Sequence, residues 1–226
     1  MIFAIGDSHA GLFNGYDGTY GSIIQPQYGY CYKIKDGKFI SLREHNPFLK
    51  NDPNFISIRT GANTAFNMIT KISLVDEIIK EYKIDRDEDT ILFCYGEIDV
   101  RMHIGAQEDK GRSLDEVIEN LTQRYLNFVN HYKEKGFNVN VWGVIPAGES
   151  GRASNSHPRY IKPEDRNKVS KILNDSFEKR CQQLGINFIS IWEELINEED
   201  YFDYFLDSIH LNYLPCKKLI YEKFNL

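Results

Sequence analysis

The chain has 226 residues, 42% hydrophobic and 27% charged, and its 27 Lys and Arg against 33 Asp and Glu leave a formal net charge of −6. That composition excludes a disordered chain, a collagen-like repeat and a small disulfide scaffold, and the length fits a single domain over 1–226. The acidic balance argues against nucleic-acid and membrane partners, which need clustered Lys and Arg, and no apolar run approaches the ~20 residues of a membrane span.

Residues 2–5 form a short apolar run closed by Gly6. With no basic stretch ahead of it, this run reads as a first strand and not as a signal peptide. The stretch from about 11 to 54 is rich in Gly and Tyr. It reads as an insertion over or beside the sheet, with a hairpin over 32–42 on an Asp36-Gly37 turn. A second apolar run covers 55–58. Phe66, Ile69, Ile72, Val75, Ile78 and Ile79 then recur at helical spacing, which predicts a helix over about 63–82.

A third run covers 90–95. Ser113 and Glu116 form a capping box, in which hydroxyl and carboxylate satisfy the first backbone N–H groups of a helix. The apolar stripe behind it runs to Tyr132, and Gly136 supplies a left-handed stop. Residues 139–145 form a fourth run ended by Pro146. Pro163, with Glu164 and Asp165 behind it, opens a further helix that Gly185 ends. A fifth run covers 187–192, and a last helix is expected from Pro215. Apolar runs alternating with amphipathic helices predict a three-layer α/β/α sandwich around a mostly parallel five-stranded sheet.

The four cysteines, Cys31, Cys94, Cys181 and Cys216, form no CxxC pair. Cys94 and Cys181 lie on apolar stretches and read as buried free thiols, which fits a reducing, cytoplasmic setting.

Ligands in open α/β sheets sit at the carboxyl ends of the strands. Here the first strand is followed by Gly6-Asp7-Ser8-His9 and the second by Thr60-Gly61-Ala62-Asn63. The third is followed by Gly96-Glu97-Ile98-Asp99-Val100-Arg101 and then His103, and the fifth by Asp207-Ser208-Ile209-His210. Gly-Asp-Ser at the start, a Gly after the second strand, Gly-x-x-Asp after the third and Asp-x-x-His near the end resemble the SGNH/GDSL hydrolases, in that family's order and across nearly the whole chain. The resemblance implies a flavodoxin-like sandwich and esterase or acyl-transfer chemistry without a cofactor or metal.

Carried over residue by residue, it makes Ser8 the nucleophile, His210 the base and Asp207 the residue that orients the imidazole. The backbone N–H groups of Ser8 and Gly61 become oxyanion donors. The chain departs from the family where an Asn amide should donate, because Ile98 stands there and carries no donor. Arg101 and Asn63 are the polar candidates for the third donor. Arg101 has an equal alternative as the partner of Asp99 or Glu97 in a structural ion pair. Asp99 and His103 are candidates for substrate contact.

The expected substrate is a small-molecule or carbohydrate O-acyl ester. Tyr16, Tyr20, Tyr28, Tyr30 and Tyr32 suit stacking on sugar faces or, equally, the core of the insertion. Two alternatives stand beside this reading. One is a non-catalytic carbohydrate-binding protein on the same fold. The other is a metal-dependent phosphoesterase drawing ligands from Asp7, His9, Asp99, His103, Asp207 and His210, although the Gly-Asn-His and Gly-His-x-His blocks of such enzymes are missing.

Overall fold

The computed structural model describes residues 1–14, 30–35, 38–42, 52–148 and 156–226. Its strands are β1 (Ile2–Gly6), β2 (Tyr30–Lys35), β3 (Lys38–Leu42), β4 (Phe55–Arg59), β5 (Thr90–Cys94), β6 (Asn138–Trp142) and β7 (Asn187–Ile189). Its α-helices are α1 (Ile72–Tyr82), α2 (Ile104–Glu108), α3 (Leu114–Glu134), α4 (Pro163–Leu184), α5 (Trp192–Ile196) and α6 (Tyr213–Phe224).

The five strands read from the apolar runs form a parallel core in the order β4-β1-β5-β6-β7. Counted by first appearance, that is the 2-1-3-4-5 order of the flavodoxin-like class. Residues of β1 and β5 alternate between two apolar layers. Phe3, Ile5, Ile91 and Phe93 pack with α1, α3 and α4, whereas Ala4, Leu92 and Cys94 pack with α5, α6 and the turn after β1. Burial on both faces explains why these strands are apolar throughout instead of alternating with polar residues.

The sheet has two more strands than the expected five. β2 and β3 pair antiparallel with Lys35 opposite Lys38, and β2 joins β4 in parallel through Tyr30 and Cys31. The hairpin therefore extends the sheet at its edge. Its turn residues, Asp36 and Gly37, lie outside the described residues, as do Tyr16, Tyr20 and Tyr28. Of Tyr30 and Tyr32 only the backbone placement on β2 is described.

Both members of the capping box at Ser113 are in place, and the buried stripe of α3 runs from Val117 to Tyr132. α4 opens on Pro163 and closes on Gly185 in the left-handed conformation. The helix expected over 63–82 is broken in two. A 3-10 turn, Ala65–Thr70, precedes α1, and the Thr70 hydroxyl and Lys71 N–H bond back to Asn67 and Met68, the tighter three-residue pattern. The last helix starts earlier than Pro215, at Tyr213, because the Asn212 side chain accepts the Leu214 N–H as an N-cap. Cys94, Cys181 and Cys216 are buried free thiols. Among the described residues no helix is long and apolar enough to cross a membrane.

Candidate active site

The order reversal of the sheet falls at β1, whose neighbours are β4 and β5, and the rim beyond their carboxyl ends carries the candidate residues. Gly6 ends β1 hard against β5. A Cβ at this position would collide with the Cys94 carbonyl oxygen and lie 2.7 Å from Cys94 Cβ. Asp7 follows, fully buried, and its Oδ1 accepts the His9 N–H at 2.9 Å. This Asx turn bends the chain so that Ser8 stands at the start of a 3-10 turn, Ser8–Asn14, and not of an α-helix. The Ser57 hydroxyl ties the turn to β4 by donating to the Ala10 carbonyl at 2.7 Å.

A second loop faces it from the far end of the chain. Phe205 bridges to Leu211, the Leu206 N–H donates to the His210 carbonyl at 2.8 Å, and the Asn212 N–H donates to Tyr204 at 2.7 Å. Within the loop, Asp207 Oδ1 accepts the N–H groups of Ile209 and His210, both at 2.8 Å. The carboxylate is thereby fixed with its second oxygen directed at the imidazole.

The two loops meet in a linear relay. Asp207 Oδ2 lies 2.8 Å from His210 Nδ1, and His210 Nε2 lies 2.8 Å from Ser8 Oγ, across 202 positions of sequence. Burial opposes charge on Asp207, but the His210 hydrogen bond and the two loop N–H groups outweigh it and hold its carboxyl at about 2. Burial pushes His210 below the ordinary histidine value, against the pull of Asp207, and His9 pushes the same way. A neutral His210 donates from Nδ1 to the carboxylate and accepts the Ser8 proton at Nε2, the protonation pattern a general base needs.

Gly61 follows β4 with φ +87°, a conformation an L side chain adopts only with strain. Among the described residues, neither the Ser8 nor the Gly61 N–H has a hydrogen-bond acceptor. Asn63, expected as a donor, turns its amide away to the Thr60 carbonyl at 2.7 Å. Arg101 has the geometry of its ion-pair alternative. Its Nε donates to Glu97 Oε1 at 2.9 Å, with both side chains largely buried.

Asp99 is not at a substrate surface. It is fully buried and accepts the N–H groups of Ala65 (2.6 Å) and Phe66 (3.3 Å), which anchors the 3-10 turn before α1. Burial raises its carboxyl to about 7. His103 lies at the end of a π-helical turn, Asp99–His103, with its ring 4.5 Å from that of Phe66. Burial and the nearby Lys110, Arg112 and Arg124 keep it below its ordinary value.

The residues that the motif reading did not connect are His9 and Glu97. The His9 ring stacks on His210, with centroids 4.9 Å apart and planes 28° apart. On its far side His9 Nε2 lies 3.2 Å from Glu97 Oε2, off the line of a good hydrogen bond. Burial opposes the charge of both. The neighbouring Asp7 and Glu97 nonetheless raise His9, and His9 with Arg101 brings Glu97 to about 2. The sequence signal for this group was a Glu and an Arg four apart just beyond an apolar strand. Among the described residues no three His, Cys, Asp or Glu side chains converge as a metal ion requires.

A five-strand parallel core in this order, with a serine turn after its first strand and an Asp-x-x-His loop facing it, agrees in fold with what the resemblance to the SGNH/GDSL hydrolases implies. Among solved structures, the chain is similar over 99% of its length to a protein of Bacteroides fragilis assigned as an acylhydrolase, with a TM-score of 0.57, 14% identity and 84% of that chain covered. It is similar over 100% of its length to a carbohydrate acetylesterase family member from Sinorhizobium meliloti, with a TM-score of 0.50, 13% identity and 99% of that chain covered. At such identities the likeness is one of fold. Neither a family model nor a curated protein matches the sequence.

Proposed function

We propose that this protein is a serine esterase or acyltransferase that removes or transfers a small acyl group through an acyl-enzyme on Ser8. The observation that carries the reading is the unbroken relay from Asp207 through His210 to Ser8, with both hydrogen bonds at 2.8 Å. Ser8 Oγ attacks the ester carbonyl while its proton passes to His210 Nε2. The negative charge that develops on the carbonyl oxygen is met by the N–H groups of Ser8 and Gly61. His210 then returns its proton to the leaving alcohol. Water, or an acceptor alcohol, enters with His210 again as base and releases the acyl group. Asp207 stabilises the imidazolium formed in each half of the cycle.

For the substrate we favour an acylated carbohydrate or a comparable small oxygen ester. The shared fold with a carbohydrate acetylesterase family member supports this choice. With Ile98 in place of an amide donor, the hole has two backbone donors, and loss of one donor typically costs ~10²–10³ in turnover. A modest hydrolytic rate is therefore expected. The phosphoesterase alternative lacks its geometry among the described residues.

Intact mass after treatment with a fluorophosphonate probe tests the proposal. A single adduct that maps to Ser8 and is lost in His210→Ala is the expected result. An unmodified protein, with no hydrolysis of p-nitrophenyl acetate, would overturn it.

A further inference from the structure

His9 takes no part in the relay just described, yet it is the side chain laid against the base. Its ring covers one face of His210 at 4.9 Å. Glu97 Oε2 lies beside the opposite edge at 3.2 Å, an ion-pair distance, and Arg101 holds Glu97 at 2.9 Å. The His9 backbone N–H is fixed by Asp7. Every link in this series is largely buried: the side-chain exposures of His9, Glu97 and Arg101 are 8%, 11% and 12%. A buried carboxylate is costly unless paired, so Glu97 with two cationic partners is the stable arrangement, and it draws a proton onto His9.

We propose that His9 is a positioning residue for the general base: an imidazolium, paired with Glu97, that fixes the ring plane of His210 and keeps His210 neutral. The assignment rests on the esterase reading of the relay and deepens it. The groups facing His210 are Asp207 on its own loop, Ser8 and His9 on the turn after β1, and Glu97 beyond β5. Asp207 and Glu97 favour a second charge on His210, and His9 opposes it. The groups facing His9 are Asp7, Glu97, Arg101 and His210. Without His9, burial alone would oppose the carboxylates on His210, and its protonated, non-basic form would persist to higher pH. The stacked ring also stops His210 from rotating off the Ser8–Asp207 line, since such a rotation has to displace a neighbour anchored at both backbone and ring.

The test is the histidine titration by NMR in wild type and in His9→Phe, which keeps an aromatic face but removes the charge. The expected result is an upward move of the His210 midpoint by about half a pH unit or more. That is the effect of one charge about 5 Å away even at the dielectric of bulk water. Where the apolar ring disrupts folding beside Glu97, His9→Gln makes the same charge change while keeping a donor. A His210 midpoint that stays within about 0.2 of wild type in the folded variant overturns the assignment. The readout needs no substrate, so it fails or succeeds independently of the fluorophosphonate result.

Discussion

At the scale of single residues, the relay makes unequal demands on its members. In the proposed mechanism His210 moves a proton in every step, so His210→Ala is expected to lower kcat by about 10⁴-fold or more with the fold intact. Asp207 acts through the imidazole, and the loop N–H groups that hold its Oδ1 would also hold an Asn oxygen. Asp207→Asn should therefore cost less, on the order of 10²–10⁴-fold, because the amide cannot stabilise the imidazolium. Steady-state kinetics on p-nitrophenyl acetate, with circular dichroism as a fold control, checks both. The same residues set the pH profile. His210 must be neutral to accept the Ser8 proton, and burial lowers its proton affinity. The acid limb of kcat/KM is expected to fall below pH 6.5, the ordinary histidine value. A limb centred above that value would show that the Asp207 carboxylate, and not burial, dominates the ring.

At the scale of elements, the exit of β5 carries the buried charges that the fold has to accommodate. Glu97 sits one residue beyond Gly96, and Arg101 one turn further on. Arg101→Ala would leave Glu97 buried against His9, with Arg166 as a more distant cation. Losing one partner of a buried pair typically costs about 3–5 kcal/mol, and the remaining His9 contact places the expected loss at the lower end of that range. Urea unfolding should show that loss, and kcat per folded molecule should fall by less than tenfold. A large drop in kcat with unchanged stability would return Arg101 to the role of oxyanion donor. This region also shows where sequence is a sufficient guide. β1 and β5 were legible because double-sided burial writes itself as an apolar run, and β4 and β6 were legible despite the buried polar Ser57 and Asn140 inside theirs. Ser8, Asp207 and His210 were singled out through the resemblance to the SGNH/GDSL hydrolases, whose motif order the chain follows, and the structure adds that the three side chains lie in one hydrogen-bonded series. The break at Lys71 was not, since it depends on side-chain to backbone bonds at Asn67 and Thr70 inside an otherwise helical apolar pattern. The placement of β2 beside β4 was not, because edge pairing is non-local. The spacing of Glu97 and Arg101 allowed their ion pair but left it level with a catalytic role, and nothing in the sequence placed His9 against Glu97.

At the scale of the whole molecule, the buried acids give stability an unusual pH dependence. Burial raises Asp7 to about 6 and Asp99 to about 7. An acid raised in the folded state still holds its proton there after the unfolded chain has lost it near pH 3.8. Between those limits the unfolded chain binds fewer protons, so stability falls as pH rises from about 4 to about 7. Glu97 and Asp207 act in the opposite sense at lower pH. Both are held at about 2, so their contribution is complete above the unfolded carboxylate range and is lost as pH drops towards 2. The histidines partly offset each other between these windows. His9 is raised, and its contribution is lost with rising pH; His210 is lowered, and its neutral form is favoured by the fold as pH rises. The combined expectation is a maximum in stability near pH 4–5 and a decline of a few kcal/mol by pH 7.5. The proposed mechanism needs His210 neutral, so its activity is expected in the upper part of this range, where the fold is less stable. Urea midpoints at pH 4.5, 6 and 7.5 measure the curve, and Asp99→Asn assigns it. The Asn oxygen still accepts the Ala65 N–H, but the group no longer titrates, so the decline between pH 4.5 and 7.5 should shrink. A midpoint that rises towards pH 7.5 in the wild type, or a slope that Asp99→Asn leaves unchanged, would show that Asp99 is ionised in the native state and that its two backbone donors outweigh burial.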